Sequence, residues 1–271
     1  MSLIRTQRGR FPACSLGVPR PFIDFDSEKL VTVETWNGYT NSMKYWGNSA
    51  NPMPDAELGQ CYIYQVSATH AELLYQYSAT FGRNIVRLVI GYWSKMVSDA
   101  ATISGFDSKY VSVSGSDQTE LGMTLFVVAS ADIDGTVIFT PGLSAMKIAN
   151  DGTWQYVRFK GISTTIFHFT SARAPVGTPL AAVISCSAVS DGTTQIDVYT
   201  IDGHAGTQYA SSANHIGWKT SGTDMIIAGQ NGTATEAKIA EIKLYRQALT
   251  EQQAMTLLRA AATQYGIEPT V

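Results

Sequence analysis

KIAEIKLYRQALTEQQAMTLLRAAATQYGI, residues 238–267, carries a strand, a short corner and a helix in thirty residues. Ile239 to Tyr245 is rich in the branched and aromatic residues of a pleated strand. The helix announces itself at Thr250, a good N-cap, with Gln253 three residues on as its partner in a capping box and Leu249 at the staple position. Met255, Leu258 and Ala262 then recur at helical spacing, with Leu257 and Ala261 alongside. Gly266 supplies the left-handed conformation that stops it.

Upstream of this segment, strand signals return at the intervals of an antiparallel sandwich. They are Cys61–Val66, Ile85–Trp93, Tyr110–Val113, Thr124–Ser130, Thr136–Thr140, Trp154–Phe159, Thr165–Thr170, Leu180–Ser187, Gln195–Ile201 and Asp224–Ala228. Turn dipeptides punctuate them: Asp134-Gly135, Asp151-Gly152, Asp191-Gly192, Asp202-Gly203 and Asn231-Gly232. Asp-Gly and Asn-Gly tolerate positive φ and so favour tight hairpins. Residues 69–81 fit either a short helix, with Thr69 and Glu72 as its capping box, or a strand with Leu73, Tyr75 and Tyr77 on one face; the strand is favoured because Gly82-Arg83-Asn84 then makes a hairpin turn into Ile85. The expected fold is all-β: an antiparallel jelly-roll β-sandwich closed by one C-terminal helix.

The N-terminal region reads differently. Residues 1–22 form an extended basic arm, because Pro12, Pro19 and Pro21 block a helix. Arg5, Arg8, Arg10 and Arg20 all precede the first acidic residue, Asp24. Phe22, Asp24 and Asp26 alternate with Ile23 and Phe25, and Leu30–Trp36 alternates again. Asn37–Gly59 is rich in Asn, Gly and Pro and is expected to be a loop. The organisation is therefore an arm (1–22), an N-terminal β region (23–100) joined to the sandwich, and a sandwich core (101–268).

Composition narrows the function. Apolar residues make up 45% of the 271 and charged residues only 15%, against roughly 25% charged in average globular chains. The outer strand faces are therefore finished in Ser, Thr, Asn and Gln, which suits a sandwich and not a helical bundle. A net charge of −3 gives no field for specific nucleic-acid binding. Cys14, Cys61 and Cys186 are too few and too scattered for a disulfide framework or a metal knuckle. The opening residues lack a signal-peptide apolar core, and no stretch reaches the ~18 apolar residues of a membrane span. Synthesis in a reducing cytoplasm combined with an extracellular-type surface is what a virion protein would show.

The closing segment resembles that of laminin-G-like domains of the concanavalin A-like lectin and glucanase superfamily. The order of parts is similar: Ile239-Ala240-Glu241-Ile242, then Tyr245, then Ala248-Leu249-Thr250, then Tyr265-Gly266-Ile267. Ser104–Gly115, Met123–Val128 and Trp154–Val157 are similar to earlier strands of the same family, so the resemblance spans residues 101–267. It implies a two-sheet jelly roll with function on rim loops or a concave face. The family includes lectins, adhesion modules, calcium binders and glycanases, so fold alone does not choose among them.

The residues favour binding over chemistry. A retaining glycanase needs two carboxylates about 5–5.5 Å apart, and the glycanase members carry a Glu-x-Asp strand that is missing here. Asp24/Asp26 is the best geometric substitute; Asp132/Asp134 suits the mouth of a hairpin. Asp132, Asp134, Asp224 and Asn231 do not spell a calcium site, and His70, His168, His204 and His215 have no metal-ligand spacing, so no metal and no cofactor is expected. Two aromatic groups are the candidate sugar platforms: Trp36, Tyr39, Tyr45 and Trp46, and Tyr209, His215 and Trp218 in a Gly203–Gly217 loop region, with Asn231 to take hydroxyls. The competing use of these rings is packing under their own loops. The expectation is a non-catalytic binding or assembly protein, a tail or capsid-decorating virion component. Its arginine arm docks on neighbouring assembly proteins, its partners include glycans, and it is a homo-oligomer or part of a larger assembly. A carbohydrate-active enzyme and a purely structural subunit are the alternatives.

Overall fold

The computed structural model describes residues 17–21, 23–36, 39–47, 49–50, 61–65, 73–88, 94–98, 123–131, 135–140, 144–148, 154–160, 163–165, 177–188, 194–210, 225–227, 237–245 and 247–269. Seventeen strands and one helix lie among them. The first seven strands are β1 (Ile23–Asp26), β2 (Val31–Trp36), β3 (Tyr39–Gly47), β4 (Cys61–Gln65), β5 (Leu73–Ser78), β6 (Arg83–Leu88) and β7 (Ser94–Ser98). Then follow β8 (Met123–Ala131), β9 (Gly135–Thr140), β10 (Ser144–Ile148), β11 (Trp154–Lys160) and β12 (Ser163–Thr165). The last are β13 (Leu180–Ala188), β14 (Thr194–Thr200), β15 (Gly203–Ala210), β16 (Met225–Ile227) and β17 (Ala237–Tyr245), before helix α1 (Glu251–Tyr265).

Every ladder among the described residues is antiparallel. One layer runs β15–β14–β13–β8–β17. The far flank of β17 is shared by β1, beside Glu241–Leu244, and β6, beside Ala237–Ile239, with β5 beyond β6. The other layer runs β2–β3–β4–β7–β16–β9–β10–β11, ending in β12. Strands from before residue 100 thus hydrogen-bond directly to strands after it. The layers meet where Phe25 of β1 packs on Trp46 of β3, ring centroids 5.6 Å apart.

Central strands are buried on both faces, which is why their sequences are apolar without alternation. Phe126 and Val128 of β8, with Ala181 and Val183 of β13, belong to the cluster under α1. Leu125, Val127, Ala182 and Ile184 alternate with them and are equally buried. The helix covers that outer face with Ala254, Leu258, Ala261 and Tyr265, the spacing of one helical stripe. Burying Leu258 alone is worth about 2 kcal/mol. Thr250 caps the helix with both halves of the capping box formed, and Gly266 ends it at φ 64°, as its sequence predicts. No helix among the described residues is long and apolar enough to cross a membrane.

Several expectations need correction. Tyr39–Gly47, within the expected Asn37–Gly59 loop, is strand β3, paired with β2 through two register shifts. Polar residues at its bulged positions had hidden the alternation. Gly203–Ala210, also expected as loop, is strand β15. The turn before β6 is at Ala79–Gly82, since Arg83 and Asn84 already pair with Ser78 and Tyr77. β8 pairs with β13 and β17 while β9 pairs with β10 and β16, so the strands that flank Asp134-Gly135 are not paired with each other; Asp134, Asn231 and Gly232 lie outside the described residues. Tyr110–Val113 and residues 166–170 lie outside the described residues.

The arm is anchored at its end. Val18 is buried in the helix cluster, and the Gly17 carbonyl accepts from Gln253 Nε2 at 3.0 Å. Gly17 and Val18, the last part of the arm, therefore dock on their own sandwich. Arg20 is exposed; Arg5, Arg8 and Arg10 lie outside the described residues.

Candidate functional site

Two polar constellations stand out on the helix-side face. The first lies where β1 meets β17. The register sets Asp24 opposite Lys243 and Asp26 opposite Glu241. A bulge at Ala240 lets Ile239, Ile242 and Leu244 stay in the sandwich while Glu241, Lys243 and Tyr245 turn towards the helix side. Glu241 accepts from Lys243 Nζ and from the Tyr265 hydroxyl of α1 at 3.0 Å. Asp26 bonds Lys29 Nζ at 2.7 Å and accepts from the Glu28 amide at 2.9 Å. Arg83 lies 4.5 Å over the Tyr265 ring and 3.4 Å from Glu28.

Electrostatics follow from this interleaving. Burial pulls the Lys243 ammonium down, but the Glu241 carboxylate, with Asp24 behind it, outweighs burial and raises it. Burial drives the Tyr265 hydroxyl up, reinforced by Glu241 and Asp26, and does the same for Tyr245. Asp26 and Glu241 are carboxylates opposite each other on neighbouring strands. They are only 6% and 4% exposed, each held by a lysine under the helix edge. The Asp24/Asp26 pair that the sequence offers for catalysis is paired in the structure with the single ammonium of Lys29.

The second constellation lies on the β14–β15 hairpin beside α1. Gln195, Asp197 and Tyr199 alternate along β14 on one face. Thr207 stands opposite Asp197, and a register shift sets His204 opposite Tyr199. Asp197 accepts from Gln195 Nε2 at 2.8 Å and from Thr207 Oγ1 at 2.5 Å, with His204 Nε2 at 3.3 Å. The same His204 nitrogen is 3.1 Å from the Thr207 hydroxyl. The His204 ring stacks on Tyr199, centroids 4.9 Å apart. Burial, then the charges of Asp197 and Glu251, pushes the Tyr199 hydroxyl up to about 12.

Threonine, histidine and aspartate are the residue types of a nucleophile relay, but the connection is wrong for one. In a relay the carboxylate holds one imidazole nitrogen and the hydroxyl the other. Here one nitrogen faces both, and the hydroxyl donates straight to the carboxylate. The group can hold hydroxyls, and it lacks the wiring of a nucleophile relay.

Of the residues expected to bind a ligand, Trp46 and Tyr39 are described with their side chains. Trp46 is fully buried and its indole N–H donates to the Asp26 carbonyl at 3.0 Å, so it is a core residue and not a platform. Tyr39 is 44% exposed on the same hairpin. Trp36, Tyr45 and Tyr209 lie in strands, with their side chains outside the description, Tyr209 standing opposite Gln195 in the register. His215, Trp218, Asn231, Asp132, Asp134 and Asp224 lie outside the described residues. Sequence reading missed Gln195, Asp197 and Thr207; their alternation beside His204 in the next strand was the available signal. Among the described residues no group of three metal-ligating side chains converges.

No family model matches the chain, and no curated protein matches it by sequence. Solved structures do. The binding domain of botulinum neurotoxin serotype D/C superposes with a TM-score of 0.58 at 7% identity, covering 89% of this chain and 52% of that one. The receptor binding domain of botulinum neurotoxin type G gives 0.57, 7%, 89% and 51%. The binding domain of Paraclostridial Mosquitocidal Protein 1 gives 0.54, 7%, 89% and 52%. The chain therefore spans about half the length of these structures, and what it shares with that half is the antiparallel β-sandwich fold.

Proposed function

We propose that this chain is a non-catalytic binding or assembly module, a virion component that recognises surface glycans and attaches to neighbouring assembly proteins through its arginine arm as part of an oligomer. The observation that carries the reading is the state of the carboxylates. Asp24, Asp26 and Glu241 are gathered on one face and paired with Lys29 and Lys243, and Asp26 and Glu241 are buried. Asp197 is enclosed to the same degree as Asp24, each side chain 13% exposed, and its partners form no relay. The fold shared with toxin domains named for receptor binding supports the same reading.

The test pairs a glycan array with a polysaccharide digest. Array binding without reducing-end release is expected. Release that disappears in Asp26→Asn overturns the non-catalytic reading, and a blank array overturns glycan recognition. For the arm, deletion of residues 1–16 spares Gly17 and Val18, which the fold uses. Mass photometry should show the deleted chain folded but unassembled; normal assembly removes the arm from the proposal.

A further inference from the structure

We propose that the outer face of the β14–β15 hairpin is the sugar subsite, built for a neutral pyranoside presenting a vicinal diol. The inference rests on the binding reading above and gives it a location. Two rings are stacked there, the inner one, Tyr199, buried at 6% exposure and the outer one, His204, open with 37% of its side chain exposed. A buried ring fixing the tilt of an exposed one makes a rigid flat surface, which suits the C–H face of a pyranose. Beside that surface sits Asp197, 13% exposed, whose two oxygens already accept from Gln195 and Thr207 and have further lone pairs for two adjacent hydroxyls, a charge-assisted contact. Gln195 and Thr207 border it with groups that both donate and accept. The negative charge of Asp197 disfavours phosphorylated or sulfated ligands, which narrows the class to neutral sugars. No further strand pairs with β15 among the described residues, so the hairpin forms the margin of its layer.

Methyl glycosides of mannose, galactose and glucose are the probes, with glucose 6-phosphate as the charged control. The chain has four histidines, so the His204 ring C–H signal is assigned in an NMR spectrum by comparison with His204→Tyr. At least one glycoside should shift that signal at saturable concentration, and the phosphate should not. Asp197→Asn keeps the shape and should weaken binding about tenfold. His204→Ala should abolish it, whereas His204→Tyr should keep it, because the platform needs a ring and not an imidazole. Melting curves check that each variant is folded. Glycoside binding that is indifferent to Asp197→Asn and His204→Ala overturns the subsite and leaves the binding reading intact. So does an array hit accompanied by no shift at His204. A blank array and no glycoside binding remove both.

Discussion

A tryptophan serves a sugar only when a ring face is open, and Trp46 is 0% exposed. Its ring lies against Phe25 of the opposite layer, and its N–H satisfies the Asp26 carbonyl. Trp46→Ala should therefore act through stability, costing about 3–5 kcal/mol as large-to-small core changes do. Trp46→Phe should cost less, the loss of the N–H partner contributing about 1 kcal/mol. Urea titration measures both. A Trp46→Phe protein that melts normally but loses glycan binding would restore the ring to the ligand site. Leu30 is the other residue out of place by local rules. It holds φ 52°, a left-handed conformation costly for leucine, while 47% exposed, with Gly47 tightly against it. The Gly47 amide donates to the Leu30 carbonyl at 3.0 Å, so the strained turn is held by the start and end of the β2–β3 hairpin.

At the scale of elements, α1 is the part whose ends are most completely determined by side chains. Thr250→Ala removes the cap oxygen that accepts from the Gln253 amide and should cost about 1 kcal/mol. Gly266→Ala keeps open space around the new Cβ but must hold φ 64°, a purely conformational cost of about 1 kcal/mol. The two sites lie at opposite ends of the helix, so a double variant should show the sum. A markedly smaller effect in either, by denaturant unfolding, would mean that the helix is held by packing alone. These signals are local, which is why the sequence spells the helix out. The β2–β3 hairpin was harder. Asn37-Gly38 separates Trp36 from Tyr39, which face each other in the ladder, and that dipeptide is a hairpin signal in its own right. It was obscured by the polar run Tyr39–Lys44 after it, where two register shifts break the period of two. The strands that flank Asp134-Gly135 show the converse, since β8 and β9 pair with different neighbours. A turn dipeptide fixes local backbone, but which layer the next strand joins depends on distant partners. The β14–β15 site has the same origin, because Asp197 and Thr207 meet only through a register that no local pattern encodes.

Across the whole molecule, one charged seam joins β1, β17, β6 and α1, and it makes stability depend on alkaline pH. Lys243, Tyr245 and Tyr265 all have values raised in the folded chain. A raised group keeps its proton in the folded state after the unfolded chain has released it. Its contribution is full below the unfolded value, 10.0 for tyrosine and 10.5 for lysine, and is lost as pH climbs through the folded value. The melting temperature should therefore be level from neutral pH to just below 10 and then fall steeply. Each group adds a slope of up to about 1.4 kcal/mol per pH unit. Tyr265→Phe deletes one titrating group together with its bond to Glu241. It should lower stability by about 2 kcal/mol at neutral pH. It should also flatten the alkaline limb, which a merely packing role for the ring would leave unchanged. An alkaline limb of equal steepness in the variant and the parent, followed by circular dichroism, would show that the seam does not couple the helix to the sheet.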